Sequence, residues 1–119
     1  MGFLSVWWGL DLDMKKYYVY VIELDEKVTN HKMFRQKNPK YIRGNGCVYV
    51  GQSARKPEIR FEQHKEGYKA NYFAKLYGIK LLPVFYEKYN PIPTRKDAEE
   101  IEYMPGKALR LKHLGGWFN

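Results

Sequence analysis

Two kinds of hydrophobic pattern run along this chain. Residues 17–24, YYVYVIEL, are almost all β-branched or aromatic and predict a strand. Residues 25–46 lose that pattern and turn polar, with Asn38-Pro39 and Gly44-Asn45-Gly46 as turn signals. CVYVG at 47–51 predicts a second strand, paired antiparallel with the first. The connection of about 20 residues exceeds a usual hairpin loop, and loops of that size are often functional or mobile. It carries Lys27, Lys32, Arg35, Lys37, Lys40 and Arg43, so it reads either as a solvated insertion or as a contact surface.

After residue 51 the pattern becomes helical. Pro57 suits the first position of a helix that ends near Gly67. ANYFAKLY at 70–77 predicts a second helix, stopped by Gly78. A third strand is expected over 79–89, IKLLPVFYEKY, with Pro83 implying an edge position or a bulge. Thr94, with Asp97 three residues later, marks a further helix start. That helix should reach about Met104, where Pro105-Gly106 ends or kinks it. A last short helix, KALRLKH, leads to LGGWFN. The order is β-β-α-α-β-α-α: a small α+β domain with helices on a three-stranded antiparallel sheet.

The chain has 119 residues, 45% of them hydrophobic, enough for one compact domain and one core. No run of about 18 apolar residues is present, so no membrane span is expected. MGFLSVWWGLDLD at the start lacks a basic n-region and a small-residue cleavage site, so it does not read as a signal peptide. Met14 is a plausible natural start, with residues 1–13 as an extension; the domain is expected over 16–119, with 1–15 as the N-terminal segment before it. Cys47 is the one cysteine, which excludes an internal disulfide and a Cys/His metal cluster. A reducing, intracellular setting, cytoplasmic or nucleoid-associated, follows as the simplest expectation. Lys and Arg total 21 against 13 Asp and Glu, a formal charge of +8, and eleven tyrosines accompany them. That balance fits a polyanionic partner, most often nucleic acid.

Arg60 and His64 are four residues apart and share one face of the helix that follows the second strand. Tyr49 in that strand should lie close to them. Such a group suits phosphate chemistry, because Arg grips a phosphate through two parallel hydrogen bonds and Tyr and His can move protons. An ordinary basic helix surface over a core tyrosine would have the same pattern. On the late helix Ala98, Ile101 and Glu102 share a face, which turns Glu102 towards the core. A buried carboxylate needs a partner, either a metal ion or a Lys, Arg or Tyr.

With these positions in view, the chain resembles the GIY-YIG nuclease family. Tyr18-Val19-Tyr20 stands where the family has Gly-Ile-Tyr, and Tyr49-Val50-Gly51 where it has Tyr-Ile-Gly, followed by Gln52-Ser53. Arg60-Phe61-Glu62-Gln63-His64 resembles its Arg-x-x-x-His helix, and Ala98-Glu99-Glu100-Ile101-Glu102 its late helix with a metal-binding Glu. The resemblance covers about residues 16 to 119. The departures are Tyr18 in place of the first glycine and the longer connection between the strands. The resemblance implies a metal-dependent DNA endonuclease that hydrolyses a phosphodiester with one divalent ion, Mg²⁺ or Mn²⁺. It implies Tyr20 or Tyr49 as the general base, with Tyr20 preferred. Arg60 would stabilise charge on the phosphate, His64 would position or shuttle a proton, and Glu102 would hold the metal. Lys56, Lys65, Lys69 and Asn119 are candidate nucleic-acid contacts, with solvated lysines and a frayed terminus as the plain alternatives.

Two other functions remain open at this level: a nucleic-acid-binding module that does not cut, and the catalytic subunit of a repair or recombination complex targeted by a partner. No separate DNA-reading unit is visible, so DNA structure, a partner protein or a homodimer would supply specificity. The residues do not choose between duplex, branched and single-stranded DNA.

Overall fold

The computed structural model describes residues 15–111 and 114–118. Four strands form one sheet: β1 Tyr18–Leu24, β2 Cys47–Ser53, β3 Gly78–Leu81 and β4 Gly115–Phe118. Four α-helices accompany it: α1 Lys32–Lys37, α2 Pro57–Glu66, α3 Tyr72–Tyr77 and α4 Arg95–Leu111. The class is α+β, as the patterning predicts.

β1 and β2 lie at the centre of the sheet, in the order β3-β1-β2-β4. They pair antiparallel over their full length, with Tyr20 opposite Gly51 and Ile22 opposite Tyr49. Both faces are covered: Val19, Val21, Val48 and Val50 are buried on one side, Tyr20, Ile22 and Tyr49 on the other. A strand buried on both faces reads as a continuous apolar run rather than an alternating one, which is what residues 17–24 display.

The sheet differs from the expected three antiparallel strands. The segment at 115–118 adds a fourth strand parallel to β2, with Cys47 opposite Gly115 and Tyr49 opposite Trp117. The predicted strand over 79–89 is also corrected. Pairing with β1 stops at Leu81, and the chain continues through two short 3₁₀ helices, Pro83–Phe85 and Glu87–Tyr89. Pro83 lacks the N–H a ladder needs, so the strand cannot pass through it. Beyond that point the Asn90 side chain takes over the edge of β1, accepting from Val19 N at 2.9 Å and donating to Val19 O at 2.8 Å.

The connection 25–46 is not a solvated insertion either. It forms a 3₁₀ helix, Glu26–Asn30, and then α1, and it buries Val28 and Phe34 completely. Phe34 stacks on Trp117 at 6.3 Å and meets Phe73 edge-on at 5.7 Å. A Cβ on Gly115 would lie 2.8 Å from the Phe34 ring, so β4 passes this close only as glycine.

The second helix begins later than expected, at Tyr72, because the Asn71 side chain caps it by accepting from Phe73 N and Ala74 N. α2 has the predicted bounds, with Gly67 as its left-handed C-cap at φ 90°. Thr94 caps α4 by accepting from Asp97 N at 3.0 Å. The helix does not end at Pro105-Gly106: the two predicted late helices are one, Arg95–Leu111, and the last two residues of KALRLKH lie outside the described residues. Proline costs such a helix one hydrogen bond and local strain, and the packing of α4 against β2, β4 and β1 outweighs it. Residues 1–14, most of the expected N-terminal segment, and Asn119 lie outside the described residues.

Candidate functional site

β1 and β2 set Tyr20 and Tyr49 on the same face of the sheet, and α2 lays His64 against both. The ring centroids are 6.1 Å apart for Tyr20 and Tyr49, 5.9 Å for Tyr20 and His64, and 5.3 Å for Tyr49 and His64. Gly51 makes room for this. A Cβ there would lie 2.6 Å from the Tyr20 hydroxyl and 3.0 Å from the Tyr49 ring. The glycine that closes the second strand motif therefore clears space for the tyrosine of the first.

The hydrogen bonds around His64 have a direction. Asn71 N donates to His64 Nδ1 at 3.0 Å, so the neutral ring carries its proton on Nε2. Nε2 lies 2.8 Å from the Tyr20 oxygen and donates to it. The Tyr49 side chain, close beside Tyr20, also favours the protonated form of Tyr20. Burial, reinforced by the charge of Arg60, pushes the His64 pKa down to about 4 and keeps the ring neutral. Burial, then the neighbouring Tyr49, raises the Tyr20 pKa far above the usual phenol value, while Arg60 pulls it back.

Arg60 leaves the same helix one turn earlier. Its guanidinium donates to Tyr68 O at 3.0 Å, to Lys69 O at 2.5 Å and to Gln63 Oε1 at 3.2 Å. These contacts hold it at the wall of a polar cleft of about 440 Å³, which Arg55, Lys69 and Arg95 also line. Tyr20 and Tyr49 are each only 1% exposed, so the cleft's accessible charge belongs to Arg60 and its basic neighbours.

Glu102 is 5% exposed, and its Oε2 has no hydrogen-bond partner among the described residues. Burial, helped by the Glu99 carboxylate, raises its pKa to about 7. Its charge is near enough to raise the Tyr20 pKa as well. An unsatisfied buried carboxylate oxygen fits a divalent ion that takes one protein ligand and fills its other positions with water and phosphate, the habit of Mg²⁺. No cluster of three or more His, Cys, Asp or Glu side chains suited to a metal occurs among the described residues, so Glu102 would be the principal protein ligand.

The lysines separate from one another. Lys69 lines the cleft. Lys56 lies at the N-cap of α2 and lines a different pocket. Lys65 donates to Lys75 O at 2.9 Å and Gly78 O at 2.8 Å, so it caps the end of α3 and is engaged in the fold rather than held out to a partner. Asn71, Arg55 and Arg95 were not legible as site residues. Asn71 acts through its backbone N–H, which the sequence does not display, although its capping signal before an apolar helix could have marked the position.

No helix among the described residues is long and apolar enough to cross a membrane. No protein-family model, curated protein or solved structure matches the chain, so the site stands on its own geometry.

Proposed function

We propose that the chain is a DNA endonuclease of the GIY-YIG type that hydrolyses a phosphodiester bond with one divalent metal ion. One observation carries the reading: His64 donates to Tyr20, Tyr20 lies against Tyr49, and Tyr20 is within the electrostatic reach of Arg60 and of a buried carboxylate whose Oε2 has no partner among the described residues. A hydrophobic core has no use for that combination. It costs stability and is retained where chemistry needs it.

In this reading Arg60 exchanges the neutral carbonyls of Tyr68 and Lys69 for the phosphate, a charged acceptor that it binds more strongly. Tyr20 is protonated in the free protein; in this reading its proton first passes to bulk water, and the resulting phenolate takes the proton of the attacking water. His64 Nε2–H and the Arg60 charge both favour that phenolate. His64 cannot accept the Tyr20 proton, because its only free lone pair is held by Asn71 N–H. It therefore positions Tyr20 and does not shuttle protons. Glu102 would hold Mg²⁺ or Mn²⁺, which when bound supplies positive charge for the leaving oxygen. The basic cleft at Arg55, Lys69 and Arg95 carries the adjoining backbone.

A second reading, a nucleic-acid-binding module that does not cut, draws on the near-complete burial of both tyrosines. Plasmid, single-stranded and branched DNA incubated with Mg²⁺ and with EDTA separates the two. The nuclease cuts only with metal, and Arg60→Ala lowers cutting at least about a hundredfold with folding intact by circular dichroism. Binding without cutting under every condition supports the module.

A further inference from the structure

A second pocket of about 330 Å³, lined in part by the first residues of α2, belongs to none of the roles above. Tyr18, Pro57, Pro83 and Pro91 contribute flat apolar surfaces to it. Lys56, Glu58 and Glu87 add charged side chains, all exposed and able to swing aside. Tyr86 also lines it. That residue is 3% exposed, yet its hydroxyl has no hydrogen-bond partner among the described residues. A buried hydroxyl without a partner costs free energy that a ligand can recover.

The pocket's position is specific. Tyr18 is two residues before Tyr20 on the same strand face, a step of about 6.6 Å. Lys56 is one helical turn before Arg60, about 6 Å along the axis. On these spacings, a strand whose phosphate meets Arg60 would run its neighbouring nucleotide towards this pocket, with Lys56 near the next phosphate.

We infer that the pocket takes one unstacked nucleobase of a bound DNA strand and prefers a base carrying an exocyclic amino group, cytosine above thymine. The base stacks on Tyr18 and the proline faces. Its amino group donates to Glu58 or Glu87, the pairing by which carboxylates read cytosine. Its ring acceptor takes the Tyr86 proton. Thymine presents a carbonyl oxygen where the carboxylates need a donor. The acidic side chains would also attract a lysine or arginine of a partner protein. Those side chains have no acceptor, so they leave the Tyr86 hydroxyl proton unsatisfied, and the base is the better occupant. Placing that base beside the cut rests on the nuclease reading. The base preference itself does not.

The test measures binding of labelled single-stranded oligodeoxycytidine and oligothymidine of roughly 16 nucleotides at fixed salt in EDTA. The intact protein should bind the cytidine oligomer at least about fivefold more tightly. Tyr86→Phe and Glu58→Ala should each narrow the ratio below about twofold while leaving thymidine affinity, which rests on phosphate contacts, unchanged. Equal affinities in the intact protein, or an unaltered ratio in both variants, overturn the inference. So does binding of an arginine-containing peptide that is lost in both variants when the base preference is absent. Plasmid cleavage with Mg²⁺ on the same preparations reports separately on the nuclease reading, so either conclusion can fail alone.

Discussion

Beside β4, Asn38 is buried to 7% exposure and is satisfied at both ends of its amide. It donates to Phe34 O at 2.7 Å and accepts from Gly116 N at 2.7 Å. On α4, Glu102 is buried just as deeply and keeps an oxygen with no partner among the described residues. The first region couples a polar side chain to an aromatic cluster of Phe34, Phe73 and Trp117 and fastens the last strand to the long connection. The second gathers titratable groups whose pKa values burial drives apart, His64 downward and Tyr20 and Glu102 upward. Burial of a polar group alone does not mark a site. Burial without satisfaction, beside other buried titratable groups, does.

Substitutions in the two regions should therefore fail in different ways. The largest loss of stability is expected from Phe34→Ala, which empties the centre of the aromatic cluster and should cost about 3–5 kcal/mol. Thermal melting would register it, with any activity per folded molecule retained. A melting temperature within a few degrees of the parent would show that the connection is a detachable insertion after all.

Tyr20→Phe comes next. It leaves His64 Nε2–H without its acceptor, at a cost of about 1–3 kcal/mol, and it should abolish cutting even where the protein remains folded. Retained cleavage would move the base to Tyr49.

Glu102→Gln should do the reverse to stability. In the folded protein Glu102 titrates at about 7 against an ordinary 4.5, so the folded state holds the extra proton and stability falls as pH rises through that window. His64 has the opposite sign: its folded value of about 4 lies below 6.5, so its contribution is lost as pH falls from 6.5 towards 4. The two slopes oppose each other in the parent protein. Glu102→Gln should leave the His64 slope alone, match the parent near pH 4 and melt higher than it at pH 8. It should lose metal-dependent cutting and keep DNA affinity. Identical melting curves at pH 8 would remove the case for a strained carboxylate.

The smallest effect belongs to Lys65→Ala. Two carbonyl caps are lost at an exposed position, worth about 1 kcal/mol or less, with little change in the salt dependence of DNA binding. A large drop in affinity would return Lys65 to the DNA-contact set.

Much of this was legible in the chain. The continuous apolar runs at 17–24 and 47–51 determined two buried central strands, because only a strand covered on both faces can use so many β-branched and aromatic residues in sequence. Pro57 and Gly67 bounded α2 by local backbone chemistry alone, and the four-residue spacing of Arg60 and His64 placed both on one side of it. What tertiary structure decided was everything that depends on a partner distant in sequence. The segment at 115–118 is a strand only because β2 offers a free edge, and residues 25–46 are part of the core only because Phe34 meets Phe73 and Trp117. The proton on His64 is assigned by a backbone N–H at Asn71, and no described residue packed around Glu102 supplies a donor to its buried Oε2. Periodicity reports which face of an element turns inward. The groups it meets there are set by how the elements pack, and that packing decides whether a buried polar atom is a fastening or a site.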